Sequence, residues 1–289
     1  MEYNKKQEIV YAAITVFITV HAFVFYCLSL ENGGFSIDIV KMSYSLNTWV
    51  FPISLIPLEF VIAMIVELFT VMTLFYKFKL LDIYNTYELL LGFSTLWLGY
   101  SLVEMFGRGF DHFSKIIING NFDILLIRPR SIFIQVIGTE ICYEKIGRVS
   151  LSLFMFIFSA LKVIKDISIL KILLLVLMLF GTILIVLSVI IIGASFCFVT
   201  IQGLEVINII TNGTRQVGQY PMGIYKKGIR IFFSTIIPIA LVNYYPLNYL
   251  TGRSNNLIYL LLPLYSIVIF ILSNLIFHLG TKKYASSGS

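Results

Sequence analysis

Long apolar runs separated by short polar intervals organise this chain. A helix that crosses a bilayer needs roughly 20 apolar residues, and six stretches approach that: 9–30, 52–76, 89–106, 132–160, 169–199 and 257–279. The run 169–199 is the longest and cleanest, and it lacks the alternating pattern of a barrel strand. Others are interrupted. Residues 52–76 carry Glu59 and Glu67, 89–106 is short and holds Glu104, and 132–160 contains the charged insert Glu140, Glu144, Lys145 and Arg148. Two further stretches fit a simple span less well: 202–220 is half polar, and 229–250 is broken by Pro238 and Pro246.

Composition narrows the solvent. The chain has 289 residues, 58% hydrophobic and 12% charged, whereas soluble domains are nearer half apolar and a quarter charged. Such a surface belongs in lipid, where the backbone must satisfy its own hydrogen bonds and only helices or closed barrels serve. The expectation is an all-α polytopic membrane protein embedded in the bilayer. A net charge of +6 is then read as Lys and Arg on cytoplasmic loops, not as a nucleic-acid surface. Cys27, Cys142 and Cys197 are scattered and are read as buried thiols without a disulfide framework. The N-terminal apolar run exceeds a signal peptide's roughly 7–15 residues and lacks a clean cleavage site, which favours a retained helix.

The loop 107–131 orients the chain. Arg108, Lys115, Arg128 and Arg130 outnumber Asp111 and Asp123, which places the loop in the cytoplasm, and Lys282 and Lys283 place the C-terminal tail there too. Phe110, Phe113, Ile117 and Asn121 fall at helical spacing, so the loop is expected to hold a short amphipathic helix, stopped at Asn119-Gly120-Asn121 and later at Pro129. If 9–30 spans, the N-terminus lies outside despite Lys5 and Lys6. If it hairpins or lies in the interface, the N-terminus lies inside.

Candidate chemistry is sparse. There is no phosphate-cradling GxxxxGK[ST] run, no metal-ligand spacing among His21, His112 and His278, and no HExxH, GxSxG or CxxC. Glu205, Asn208, Asn212, Arg215 and Gln219 share one helical face, either lining a path or subunit interface or riding the membrane surface. Glu59 and Glu67 lie eight residues apart, roughly 80° around a helix, facing a common cavity or pairing elsewhere. Glu140, Glu144 and Arg148 stack at i, i+4 and i+8, with an internal acid–base pair. Between 220 and 253, prolines and boundary-seeking tyrosines fit a re-entrant helical pair better than one straight span. That reading leaves Lys226, Lys227 and Arg230 outside, against the charge rule.

Three motifs carry a family resemblance. Gly120-Asn121-Phe122-Asp123-Ile124-Leu125-Leu126-Ile127-Arg128-Pro129 resembles the GxLDxLLxRP motif of bacterial type 2 ABC exporter permeases, with Phe122 for leucine. The run Tyr220-Pro221-Met222-Gly223-Ile224-Tyr225, then Arg230, Pro238 and Asn243-Tyr244-Tyr245-Pro246, resembles that family's YPxxIYPxxLR and IPxAxxxYxP segments, with Lys226 for the second proline and Ile229 for leucine. The ending Gly280, Tyr284, Ser286 resembles GLxxYxS.

The resemblance covers about residue 49 to the C-terminus. It implies six core helices with a cytoplasmic coupling helix and extracellular re-entrant helices, plus an N-terminal helix wherever 9–30 spans. The single transmembrane domain 1–289 then divides into an N-terminal segment 1–48, two core spans in 49–106, the coupling loop 107–131, two spans in 132–200, a polar fifth span 201–221, a re-entrant segment 222–256, a last span 257–280 and a tail 281–289. It further implies a separate nucleotide-binding ATPase that holds ATP and Mg, a second permease subunit, a multi-pass place in the bacterial cell membrane, and no cofactor on this chain. Phe113, Gly120, Phe122, Asp123, Leu125, Leu126, Arg128 and Pro129 would couple to the ATPase, and amphipathic or lipid-like cargo would be exported. The rival is a gradient-driven secondary transporter using Glu59, Glu67 and Glu205, although the internal repeats usual there are missing. A membrane enzyme or scaffold would lack, respectively, clustered catalytic groups and a reason for the polar stripe.

Overall fold

The computed structural model describes residues 84–164, 168–200 and 203–284, with Ile65, Val66, Phe69 and Thr73 before them; for Glu144 and residues 203–208 it describes the backbone alone. The chain divides into Met1–Ile56 and Pro57–Ser289, and all described residues belong to the second unit. The expectations for 9–30, for Glu59 and Glu67, and for Cys27, His21 and Ser286 lie outside the described residues.

In chain order the helices are α1 (Thr86–Phe106), α2 (Arg108–Asp111), α3 (Phe113–Ile118), α4 (Asn121–Ile127), α5 (Ile132–Ile137), α6 (Ile146–Val163), α7 (Ile169–Phe196), α8 (Gly203–Gly218), α9 (Lys227–Thr235), α10 (Ile239–Val242), α11 (Tyr244–Leu250), α12 (Ile258–Leu261) and α13 (Tyr265–Lys283). No strand occurs among the described residues. Four helical stretches there are long and apolar enough to cross a bilayer: α1, α6, α7 and the continuous Ile258–Lys283. The fold is thus an all-α polytopic membrane protein, as expected.

Helix α1 starts at a capping box, in which the Asn85 side chain accepts from the first turn and Glu88 reaches back to the Asn85 N–H. It is buried almost all round and forms the centre of the bundle. A Cβ on Gly99 would stand 2.6 Å from Thr182 Cγ2, so glycine is what lets α1 and α7 approach this closely. Buried hydroxyls at Thr95, Thr182 and Ser188 donate to carbonyls four residues back, at 2.7, 2.8 and 2.6 Å, which lets polar side chains sit in an apolar layer. By contrast, α6 and α13 expose Phe154, Leu161, Leu272 and Leu275, as helices facing lipid do.

Two sequence readings change. The apolar run 132–160 is not continuous: α5 ends at Gly138, the chain turns through a 3-10 turn at Tyr143–Lys145, and α6 begins at Ile146. The Cys142 N–H donates to the Met105 carbonyl at 3.0 Å, pinning this turn beside the end of α1. The charged insert therefore marks the start of a span, and α5 joins the loop layer. The second change concerns the polar fifth span. Helix α8 has 16 residues, shorter than the roughly 20 a crossing needs, and a Cβ on its last residue, Gly218, would lie 3.1 Å from Leu96, half-way along α1.

The chain beyond α8 forms a sharply bent helix pair. Gly223 sits beside the Tyr244 hydroxyl and that of Tyr84, which precedes the N-cap of α1. Ile239 then packs near Gly218 at mid-depth, and Arg253 returns to pair with Glu88 in the first turn of α1. The two arms, Lys227–Thr235 and Ile239–Leu250, meet at 79° around Pro238. Lys226, which occupies the position of the motif's second proline, has φ −57°, the value proline imposes. The turn keeps its course without the ring.

Candidate functional site

The loop layer at the far end of α1 is built by aromatic packing. Helix α3 stops at Asn119, and Gly120 (φ 68°) turns the chain in the left-handed region before α4 begins. Phe113 and Phe122 are fully buried. Their rings lie 5.4 Å apart, and each packs on Phe198 beyond α7, at 5.3 and 5.4 Å. Phe113 also meets Phe277 of α13 at 5.3 Å, and Phe122 meets Tyr284 at 4.8 Å. The phenylalanine that replaces the motif's leucine at 122 thus fills an aromatic cluster. Gly280 and Tyr284 of the C-terminal motif serve the same cluster, since a side chain at 280 would collide with the Phe198 ring.

This packing revises the coupling set. Phe113, Phe122 and Leu125, expected to touch a partner, are buried inside the chain's own core because both aromatic rings point into the bundle. They anchor the loop. The exposed face carries Ile118, Ile124, Leu126, Ile127, Arg128 and Pro129, with Asp123 half-buried in the first turn of α4. Gln135 of α5 ties the end of α4 by donating to the carbonyls of Leu125 and Arg130, at 3.1 and 2.9 Å. His112 Nδ1 pairs with Glu140 at 2.7 Å, joining the loop to the turn before α6.

Above the loop lies a cavity of about 440 Å³, with Glu104 on its wall. Its carboxylate takes Arg148 at 2.6 Å, Arg215 at 3.1 Å and Lys145 at 3.6 Å, so one acid from α1 gathers the start of α6 and the last turn of the polar helix α8. The Arg148 and Arg215 guanidinium carbons lie 5.0 and 5.5 Å from the Trp97 ring centroid, within cation–π reach. Arg108 and Asp111, 3.9 Å apart, complete the charged lining with His112. Burial pushes the Asp111 carboxyl above its usual range, with Arg108 opposing weakly at that distance, and burial pushes the Lys145 ammonium down against the pull of Glu104.

The predicted polar face of α8 is split. Asn212 and Arg215 line this cavity with Thr211, whereas Gln219, beyond the helix end, lines a separate space of about 30 Å³ with Tyr220, Pro221 and Asn243. The side chains of Glu205 and Asn208 lie outside the described residues. From sequence, Glu104 and Lys145 were noted only as charges interrupting apolar runs, Arg148 only as part of a local stack, and Trp97 not at all. The signal was an acid in the last turn of an apolar span, which needs a nearby cation. Arg148, the basic end of the expected stack, reaches across to Glu104, and the Glu144 side chain lies outside the described residues.

In the bent helix pair, Asn243 donates to the Gly92 carbonyl at 3.0 Å, and Pro238 and Pro246 are buried, while Arg230 is half-buried on α9. The Tyr225 hydroxyl donates to the Val217 carbonyl at 3.0 Å, and burial pushes its pKa up to about 12. Neither Cys142 nor Cys197 forms a disulfide among the described residues, and Cys142 is half-buried where a buried thiol was expected. No group of three or more metal-ligating side chains occurs among them.

Residues 61–288 match the family model for the ABC-2 family transporter protein. The chain belongs to the ABC-2 transporter family. It is the membrane permease component of an ABC transporter, a transport subunit and not itself a catalyst. No curated protein and no solved structure matches the chain. The matched segment includes the loop layer, the charged cavity and the bent helix pair of this ABC-2 permease, and it contains none of the N-terminal segment 1–48.

Proposed function

We propose that this permease works in an ATP-driven exporter, in which a separate nucleotide-binding ATPase holds ATP and Mg and docks on the loop 107–131. The carrying observation is the two-sided build of that loop. Its inner face is locked by Phe113 and Phe122 into the ends of α7 and α13, while its outer face presents Ile124, Leu126, Ile127 and Arg128. A lever needs both: a contact surface and a stiff attachment. Closure of the ATPase would push on α4, and the aromatic cluster and Glu104 would pass the motion to α7, α13 and α8. A second permease subunit, identical or different, would complete a path for amphipathic cargo across a bacterial cell membrane, with the re-entrant pair on the outer side.

Co-purification with an ATPase encoded beside this chain tests the reading. Wild type should retain the ATPase, and Asp123→Ala with Arg128→Ala should lose most of it while the permease still inserts and folds. Failure of wild type to pair with any ATPase, together with transport driven by an ion gradient in vesicles, would sink the proposal in favour of secondary transport.

A further inference from the structure

The cations of α9 run against the charge rule, and the fold gives them no acid of their own. Lys226 and Lys227 are exposed where the helix begins, and Arg230 is half-buried one turn on. None of the three makes an ion pair among the described residues. The chain carries no Asp or Glu after Glu205, and Glu88, at the same end of the bundle, is taken by Arg253. A cation held beside hydrocarbon needs a counter-charge or water.

Depth and facing narrow the choice. The chain enters α9 from Gly223, beside the Tyr84 and Tyr244 hydroxyls, at the end of α1 away from the loop layer. It leaves α9 for Ile239, which packs near Gly218, and Gly218 faces Leu96 half-way along α1. Nine residues of helix rise about 13 Å, so Lys226 and Lys227 stand at the boundary end of α9 and Ile236 at its deep end. Tyr84 and Tyr244 mark the same boundary, where tyrosine is favoured. Phe233 and Ile237 are buried on the bundle side, whereas Ile229, Phe232 and Ile236, at i, i+3 and i+7, share an exposed face. An ammonium pair at the boundary with an apolar face below it repeats the order of a lipid molecule, phosphate above and acyl chain beneath.

We infer that α9 docks a lipid with an anionic phosphate head group. Its acyl chains lie along Ile229, Phe232 and Ile236, and Lys226 and Lys227 hold the phosphate. Basic residues beside an apolar helix face favour anionic over neutral lipid, because a zwitterionic head group brings its own ammonium to compete for the phosphate. The inference also gives Lys226 a role at the position where the motif has proline: φ −57° keeps the turn, and the side chain adds a head-group contact. It needs the chain's place in a membrane and no other part of the transport reading.

Brominated lipids quench tryptophan on contact, so one reporter reads this face alone. Trp49→Phe with Phe232→Trp supplies it, and the Trp49→Phe parent gives the background from Trp97, which is buried. Full-length chain would be reconstituted in phosphatidylcholine nanodiscs with rising fractions of dibrominated phosphatidylglycerol or dibrominated phosphatidylcholine. The two quenching curves give the ratio of the lipids' affinities at the face. At about fivefold per lysine, that ratio should exceed roughly tenfold in favour of phosphatidylglycerol. It should fall to near unity in Lys226→Gln with Lys227→Gln and survive Lys226→Arg with Lys227→Arg. Both lysines are exposed, so the substitutions should leave the size-exclusion profile unchanged. A ratio near unity with the lysines intact, or an unchanged ratio in the glutamine pair, overturns the inference. A reporter that neither lipid quenches also overturns it, and shows the face to be covered by protein. The measurement needs neither ATP nor an ATPase, so its failure and a failure of ATPase pairing are independent.

Discussion

Glu104→Gln removes the carboxylate that Arg148, Lys145 and Arg215 share, while keeping the side chain's size. Breaking a buried pair by deleting one partner costs about 3–5 kcal/mol, because the remaining charge is left uncompensated. The Glu104 side chain is 19% exposed, which places the expected loss near the lower end, about 3 kcal/mol. At about 2–4 °C per kcal/mol for a chain of this order of size, the melting temperature of purified permease should fall by roughly 6–12 °C. A double-mutant cycle separates charge from packing. Glu104→Gln combined with Arg215→Gln should melt higher than the sum of the two single losses predicts, because the second change removes a stranded cation. The loss should persist as salt is raised, since a buried pair is screened little. A fall of less than about 2 °C, or strict additivity in the cycle, would refute the view that Glu104 holds the bundle's loop end together.

Further outcomes follow from single contacts. Gly120→Ala meets no atom within 4 Å, so only the left-handed backbone at φ 68° penalises it, by about 1–2 kcal/mol; a melting shift of a few degrees should accompany undiminished membrane insertion. Gly109→Ala should be far worse, because its Cβ would collide with the Val136 carbonyl and Thr139, and loss of folded protein on size exclusion would show it. Burial raises the Asp111 pKa in the folded state, so its contribution to stability is full at acid pH and is lost as pH rises through that raised value. Wild type should therefore gain in melting temperature relative to Asp111→Asn as pH falls from neutral towards the ordinary carboxylate range, and no relative gain would refute the shift. Asn243→Leu abolishes the bond to the Gly92 carbonyl at a cost of about 1–3 kcal/mol, which should appear as faster hydrogen exchange across residues 239–250 with α7 still protected.

Much of this architecture was legible in the chain because lipid imposes simple rules. Apolar runs near 20 residues read as spans, and α1, α7 and the last helix fall where those runs predict. Gly120 and Pro129 marked the loop's breaks, and Pro238 marked the bend between α9 and α10, because backbone conformation at glycine and proline is a local property. The family, too, was carried by local motifs. The sequence alone thus determined the solvent, the class of fold and the position of the loop layer.

What tertiary structure decided was which side chains face each other. The family resemblance implied that Phe113 and Phe122 meet a partner, yet they pack inward, because Phe198, Phe277 and Tyr284, from two distant helix ends, converge on them. The charged insert before α6 looked like a local ladder, yet Arg148 found Glu104, 44 residues earlier, and Arg215 found it from 111 residues later. Periodicity ranks the faces of one helix but is blind to the neighbour each face meets. Partner choice for charges and aromatic rings depends on contacts between segments far apart in the chain, and these exist only once the helices have packed.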